Sequence, residues 1–218
     1  MRGKNPRSGI FKFRSTPSGS LPQDADLLRT LTRGIPGTAM IAQTHLSEEE
    51  RWAVVRYVKT LSDRFTNASP APPIPVPPVP AYLPSLVEKG KHLYAEAGCP
   101  TCHGQDGRGD GAAADSLKDA WGRPSRPADL TNRPLKSGPS PQDLYRTLVT
   151  GLNGTAMPSY DDALGEEELW SVVVYVETLA EVGPGGKPGM TGLREEHLGR
   201  VIEMMNRMRM QGQDCCMR

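Results

Sequence analysis

The chain has few of the features that mark membrane proteins or disulfide-rich proteins. It contains no run of the roughly 18 consecutive apolar residues that a membrane-spanning helix needs, so such a helix is excluded. Four cysteines among 218 residues are too few for a disulfide scaffold. Three Phe, three Trp and six Tyr are few for a core of this size, and apolar residues reach only 37%. A cofactor that supplies apolar surface would help to explain the deficit.

The charge is balanced overall but unevenly distributed. The net charge is +1, yet residues 1–67 carry 11 basic and 6 acidic side chains, whereas residues 84–182 carry 9 and 15. This asymmetry favours oriented docking to charged redox partner proteins over nucleic-acid binding. A partner of the acidic segment would be basic at its docking face. Two ordinary solvated surfaces would give the same counts. The oligomeric state has no signal in the sequence.

Proline and glycine divide the chain into segments. Seven of the eleven residues in 70–80 are proline, which favours an extended polyproline conformation and makes 68–81 a linker. Residues 183–192, GPGGKPGMTG, form a second boundary. We therefore expect a segment 1–67, a domain 82–182, and a stretch 183–218 that combines a flexible linker with a Met/Cys-rich and possible helical tail.

An internal repeat relates the first two segments. Residues 26–40, DLLRTLTRGIPGTAM, recur 117 positions later as DLYRTLVTGLNGTAM. After one extra residue, LSEEERWAVVRYVKTL from Leu46 pairs with LGEEELWSVVVYVETL from Leu164. The chain therefore holds two copies of one half-domain, and only the second copy has another half in front of it.

The repeat carries helix signals and no alternating strand pattern. Ser140 is a candidate N-cap, Pro141 suits the first helical position and Gly151 can close the helix. Ser47 and Glu50 form a capping box before the next helix of the first copy. We therefore predict an all-α fold with long loops rich in glycine and proline.

The motif Cys99-Pro100-Thr101-Cys102-His103 is the main chemical signal. A C-x-x-C-H run is the attachment site of c-type haem, in which two thioethers fix the cofactor and hold the adjacent His against the iron. A thioredoxin-like redox pair also uses C-x-x-C but would want a preceding strand. A zinc site would want a second ligand pair, which only the tail could offer.

A second axial ligand is needed for an electron-transfer haem, and Met157 is the candidate. It lies in the segment GTAMP between two predicted helices, where its side chain can reach inward. A methionine that merely fills a core gap is the alternative. The recurrence of the GTAM loop at Met40 argues against that alternative.

These motifs resemble those of class I cytochrome c. The resemblance covers residues 84–181 as a complete domain and residues 9–65 as the back half of another. The run CHGQDGRGD, followed by WGRPSRPADL, is similar to bacterial multihaem cytochromes c of respiratory chains. The resemblance to class I cytochrome c implies one covalently bound haem c per chain, with His103 and Met157 as iron ligands.

The resemblance also implies further contacts around the haem. The carbonyl of Pro127 would accept the proximal His N–H, which raises ligand basicity. Arg126 and Trp121 would bond a haem propionate, and Tyr160 would pack at the haem edge. The pair Gly90 and Tyr94 would let the first helix of the domain cross the last one, near Tyr175 and Leu179.

Three functions remain open at this stage. The first is a one-electron carrier in a periplasmic respiratory chain, because His/Met ligation leaves no open iron position for a substrate. The second is an electron-entry subunit of a larger periplasmic oxidoreductase or haem peroxidase, with catalysis on another chain. The third is soft-metal binding, copper above all, by a tail that includes Cys215 and Cys216.

Residues 1–67 contain no cysteine, so the first copy has a ligand loop but no haem attachment site. Either the chain is a truncated dihaem cytochrome that starts at an internal Met, or this half is a haemless packing module. Without a front half it should expose an apolar face that includes Trp52, Val55, Val58 and Leu61. No export signal is recognisable, although extracytoplasmic haem attachment implies one, which favours the truncation.

Overall fold

The computed structural model describes residues 6–180, 199, 202–204 and 206–207, and its regular elements are helices. A short 3-10 helix spans Pro6–Ser8, and seven α-helices follow it: α1 Asp24–Arg33, α2 Glu48–Thr60, α3 Arg64–Asn67, α4 Pro84–Glu96, α5 Pro100–His103, α6 Pro141–Thr150 and α7 Glu166–Thr178. No β-strand occurs in these residues, and the predicted all-α fold is confirmed. None of the described helices has the length and apolar content to span a membrane.

The helices begin where the capping signals predict. Ser140 Oγ accepts the backbone N–H of Asp143 (3.2 Å), and the Asp143 carboxylate accepts the N–H of Ser140 (3.4 Å). Ser47 and Glu50 make the same reciprocal pair at the start of α2. These caps satisfy donors that the first helical turn leaves without partners. The starting positions of these two helices are therefore marked by neighbouring residues in the sequence.

The core lies where α4 and α6 pack on α7. Residues 169–176 of α7 are all buried, because the helix is covered on several sides. α4 crosses it at Gly90, where a Cβ atom would lie 1.9 Å from the carbonyl oxygen of Ser171. Tyr94 and Tyr175 pack edge to face beside the crossing, with ring centroids 5.4 Å apart. Gly90 and Tyr94 thus have the helix-crossing role that the resemblance implied.

Gly90→Ala should separate these two helices and destabilise the fold. The added methyl group has no space against the Ser171 backbone, and forced overpacking of this kind costs about 1–3 kcal/mol. Gly165→Ala is the matched control, since its Cβ would meet only Glu168 Oε2 at 3.7 Å. Chemical denaturation measures both variants. An equal, small loss in the two would contradict the close approach.

The proline-rich linker is extended but not free. Residues 68–81 contain no helix or strand, while Ile74, Val76 and Val79 pack against the core. The backbone N–H of Ile74 donates to the carbonyl of Ser15 (2.7 Å). The linker therefore lies between the two halves of the chain and contacts both, rather than holding them apart.

The apolar face that was predicted to be exposed on α2 is largely covered. Val55 is fully buried, and Trp52, Val58 and Leu61 are half-buried. The start of the chain folds back beside the end of α2, where Phe11 packs edge to face on Phe65 with ring centroids 5.8 Å apart and Lys59 of α2 lies over the Phe65 ring. The exposed side of α2 is instead the one that carries Ala53, Arg56 and Tyr57.

Part of the predicted tail helix is described. Residues 202–204 and 206–207 are helical, and Ile202 is buried in the main core. The Asn206 side chain exchanges two hydrogen bonds with the backbone of Tyr82 (2.8 and 2.9 Å). Cys215 and Cys216, on which the copper hypothesis depends, lie outside the described residues.

Candidate functional site

The C-x-x-C-H motif forms a single helical turn directly after α4. The N–H of Cys99 donates to the Tyr94 carbonyl (3.1 Å), and the N–H of His103 donates to the Cys99 carbonyl (2.9 Å). Three-residue spacing on this turn places the two cysteines on one side. Both thiols are free and half-buried. The turn therefore presents two unpaired sulfur atoms beside one imidazole.

One nitrogen of His103 is already held by the protein. Its Nδ1 lies 2.9 Å from the carbonyl oxygen of Ala128, so Nδ1–H donates and the lone pair is on Nε2. Burial lowers the His103 pKa, which keeps the ring neutral, and the Ala128 bond opposes that shift only in part. A neutral, oriented imidazole is the form that binds iron.

The acceptor is Ala128 and not Pro127, which the resemblance had implied. The register of this segment is set two residues further on, where the Leu130 N–H donates to the carbonyl of Gly107 (2.6 Å). The Pro127 carbonyl lies instead against Gly109, 3.2 Å from the position of a Cβ atom there. The resemblance identified Pro127 from the sequence. Which carbonyl reaches His103 depends on contacts between residues that are distant in the sequence, and these the sequence does not reveal.

The Met157 loop is ordered by its own hydrogen bonds. α6 ends at Gly151 with φ +62°, a conformation that favours glycine, and a Cβ there would meet the Pro158 backbone at 2.7 Å. Leu152 N–H donates to the Met157 carbonyl (3.1 Å). Thr155 Oγ1 donates to the Leu152 carbonyl (2.8 Å) and accepts the Met157 N–H (3.2 Å). We name residues 151–157 the ligand loop.

Tyr160 connects the ligand loop to the cysteine turn. Its hydroxyl donates to the Ala97 carbonyl (3.5 Å), two residues before Cys99, and lies close enough to influence the Cys99 thiol. Burial raises the Tyr160 pKa to about 12, and it also raises the pKa of Cys99. A redox-active dithiol needs a lowered thiol pKa, so this environment does not suit a thioredoxin-like pair.

Trp121 and Arg126 lie on the segment that leads towards Ala128. The Trp121 ring packs at Gly154 of the ligand loop, 3.5 Å from the position of a Cβ there, and the N–H of Ala120 donates to the Gly154 carbonyl (3.1 Å). Arg126 forms an exposed ion pair with Asp115. The structure thus brings Trp121 to the ligand loop, whereas Arg126 has an acidic partner of its own.

A group of contacts that the sequence does not reveal holds the ligand loop from outside. The guanidinium of Arg14, 1% exposed, donates to the carbonyls of Thr150 and Gly151. Asn153 Oδ1 accepts the Gly19 N–H (3.0 Å). Ile10 Cγ2 lies 2.9 Å from the position of a Cβ on Gly154. The Ser20 carbonyl also accepts a hydrogen bond from the Asn153 side chain (3.3 Å). We name Ile10, Arg14, Gly19 and Ser20 the N-terminal brace.

The donor set fits a covalently attached haem. Two free thiols share one turn with an oriented imidazole, and a thioether-bearing loop is tied to that turn through Tyr160. A zinc site has less support, since no group of three His, Cys, Asp or Glu side chains able to hold a metal occurs among the described residues.

Comparison with known proteins agrees with this reading. The Cytochrome c family model matches residues 87–180. A solved chain of the Kuenenia stuttgartiensis reducing HAO-like protein complex is similar at 40% identity, with a TM-score of 0.80 and 82% of each chain covered. This chain belongs to the class I c-type cytochromes. The cytochrome c family carries covalently bound c-type haem and transfers electrons through it.

The likeness of this cytochrome to the solved chain is not limited to the family domain. Residues 82–218 are too short a part of the chain to supply a coverage of 82%, so the match also includes residues upstream of the linker. Part of the N-terminal segment therefore belongs to the shared fold.

Proposed function

We propose that this cytochrome is a one-electron carrier with one haem c, attached at Cys99 and Cys102 and ligated by His103 and Met157. The observation that carries the proposal is the His103 geometry: Nδ1–H is fixed on Ala128 and Nε2 remains as the ligand atom. The bound haem supplies the one-electron couple. His103 would offer its Nε2 lone pair to the iron, Met157 lies on a loop that is held by hydrogen bonds of Thr155, and the Tyr160 hydroxyl bonds Ala97 beside the cysteine turn.

The choice of redox partner would be determined by protein–protein contacts around the haem site. If His103 and Met157 both bind the iron, no position would be open to a substrate, and electrons would pass through the haem edge. Tyr160 is proposed to pack at that edge and Trp121 to bond a propionate. Arg126 would have to exchange Asp115 for a propionate, so its role is the weakest of the three.

Covalent attachment is tested by mass spectrometry of protein made with cytochrome c maturation factors. One haem should stay on the peptide that contains Cys99–His103 after denaturation, since thioether bonds survive unfolding. Cys99→Ser/Cys102→Ser should carry none. Cys215→Ser/Cys216→Ser is the matched control and should keep the haem. Two haems on the wild-type chain, or none, would contradict the proposal.

An electron-entry subunit is the second candidate function. The similar solved chain comes from a protein complex, which favours a partner-bound role over a freely diffusing one. Haem attachment in bacteria takes place outside the cytoplasm, and we propose a periplasmic location on that basis. The two candidates differ in whether the purified cytochrome is a stable monomer or is isolated with a partner, which size-exclusion chromatography of the native protein distinguishes.

We propose that the partner presents a basic surface. The loop that follows His103 exposes Asp106 and Asp110, in a segment that is acidic overall. Electron transfer to a basic redox protein should therefore slow as salt rises and the Debye length falls from about 30 Å at 0.01 M to about 10 Å at 0.1 M. An acidic protein of similar potential is the control and should show the opposite trend. A flat response with the basic protein would place the docking face elsewhere.

A further inference from the structure

Two arginines at equivalent positions of the two copies meet where α1 lies near α6. Arg29 and Arg146 are 117 positions apart, the displacement that relates the copies. Each follows by one helical turn the aspartate with which it pairs, Asp26 for Arg29 (3.0 Å) and Asp143 for Arg146 (2.7 Å). Burial lowers the pKa of Arg29, and the positive charge of Arg146 lowers it further. The two guanidinium groups are therefore close enough to repel each other across the contact between the copies.

Contacts at both ends of the two helices hold this arrangement. Arg33, the last residue of α1, donates to Asp143 in the first turn of α6 (3.2 Å). Arg14 lies near Asp26 in the first turn of α1 and donates to the carbonyl of Thr150, the last residue of α6. The start of each helix thus lies beside the end of the other. The two equivalent arginines face each other between these end contacts.

A small polar cavity lies beside the arginine pair. Its free volume is about 10 Å³, close to the space that a single water molecule needs. Among the described residues, Asp143 supplies the only carboxylate in its wall, and Ser137 adds a hydroxyl group. Four of the side chains that line it are cationic: Lys12, Arg14, Arg29 and Arg146. Positive charge is therefore in excess around this cavity.

The two nearby carboxylates already have several donors besides the arginines. Asp26 Oδ2 accepts the backbone N–H groups of Ser15 (2.8 Å) and Gln23 (3.0 Å), and also the Ser15 hydroxyl (3.0 Å). Asp143 Oδ2 accepts the hydroxyl of Ser140 (2.9 Å) and its backbone N–H (3.4 Å). The negative charge of each aspartate is therefore shared with its own helix start and only in part available to the cavity.

The arginines, in contrast, have N–H donors to spare. Arg29 bonds Asp26 through Nη2, Arg146 bonds Asp143 through Nη1, and the hydrogen bonds within the described part of the chain give neither arginine another acceptor. A guanidinium group carries five N–H donors. Like charges held together in a half-buried site are destabilising unless a negative group lies between them. The chemistry of the cavity therefore calls for an anion that occupies about the space of one water molecule.

We infer that the cavity between Arg29 and Arg146 binds a chloride ion, which joins the two copies. A monatomic halide suits the free volume, whereas phosphate and sulfate are too large for it. The spare N–H groups of the two arginines and the ammonium group of Lys12 would be its donors, in charge-assisted hydrogen bonds. Leu152 of the ligand loop also lines the cavity, so the ion would stabilise the start of that loop. The inference does not depend on the proposed function, because no haem ligand takes part in it.

Urea unfolding of the haem-loaded cytochrome tests the site, because guanidinium chloride would itself supply the ion. The midpoint is measured in sodium chloride and in sodium gluconate at equal ionic strength, so that general screening is the same in both. A ligand that binds only the folded state stabilises it by mass action. The midpoint should therefore be higher in chloride than in gluconate. The wild-type protein should also broaden the chloride NMR line, and added bromide should compete and reverse the broadening.

Substitutions on and off the cavity separate the outcomes. Arg29→Gln and Arg146→Gln remove a charge but keep an N–H donor for the paired aspartate, so each should lose the difference between the two salts and the line broadening, whatever its absolute stability. Lys59→Met is the matched control, since Lys59 pairs with Asp24 (2.7 Å) and does not line the cavity, and it should keep both signals. Equal wild-type midpoints in the two salts would mean that water fills the cavity and would overturn the inference. A chloride dependence that survives both arginine substitutions would overturn it as well.

Discussion

Met157→Ala is expected to abolish the sulfur-to-iron absorption of the oxidised cytochrome and to lower its reduction potential. Thioether ligation stabilises reduced iron, and axial ligands set haem potentials over a range of about 0.8 V. The substitution removes the ligand but keeps the loop, because the loop bonds use backbone atoms and Thr155. Visible spectroscopy and potentiometry measure the two effects.

Met40→Ala is a closely matched control, since Met40 lies in a loop with the same hydrogen bonds. In the intact chain it should change neither the absorption nor the potential, because it is the Met157 copy whose Tyr160 bonds Ala97, directly ahead of the cysteine turn. Loss of the absorption in the Met40 variant alone would mean that the two half-domains exchange ligands. The domain boundaries proposed from the sequence would then be wrong.

Features encoded by neighbouring residues were predictable from the sequence. The capping pairs at Ser47 and Ser140 act over three residues, and C-x-x-C-H forms one turn by itself. In each of these cases the physical cause lies within one or two helical turns.

Features set by contacts between distant residues were not predictable. The His103 acceptor shifted by one residue because the Leu130–Gly107 bond sets the register. The exposed side of α2 depends on which segments fold back over it, and composition does not encode that. The linker 68–81 has the expected extended backbone, but its contacts with both halves appear only in three dimensions.

The N-terminal brace is the clearest case, and it leads to a large expected effect. Arg14 reaches acceptors 136 and 137 residues away and also donates to the carbonyls of Lys12 and Pro17. Burial lowers the Arg14 pKa to about 10, so the guanidinium remains charged near neutral pH. Asp26 nearby favours that charge. A charged group buried this completely holds its acceptors in a single geometry.

Arg14→Met should therefore destabilise the protein by about 2–6 kcal/mol, because the two buried carbonyls of Thr150 and Gly151 lose their donors at about 1–3 kcal/mol each. It should also free the ligand loop. We expect guanidinium chloride to remove the sulfur-to-iron absorption at a lower concentration than it removes helical circular dichroism, whereas both should disappear together in the wild type. Arg14→Lys should restore the stability only in part, since an ammonium group cannot reproduce the planar fork of donors.

Arg51→Met is the matched control for a structural effect alone. Arg51 donates to the carbonyls of Gln43 (3.4 Å) and Leu46 (2.8 Å), and thus supports the first copy without touching the N-terminal brace or the ligand loop. Its loss should lower both unfolding midpoints equally. If Arg14→Met also shifts the two midpoints by the same amount, the brace stabilises the fold but does not position Met157. A separation of the midpoints in Arg14→Met alone would mean that residues 1–67 act on the haem ligand of the neighbouring domain.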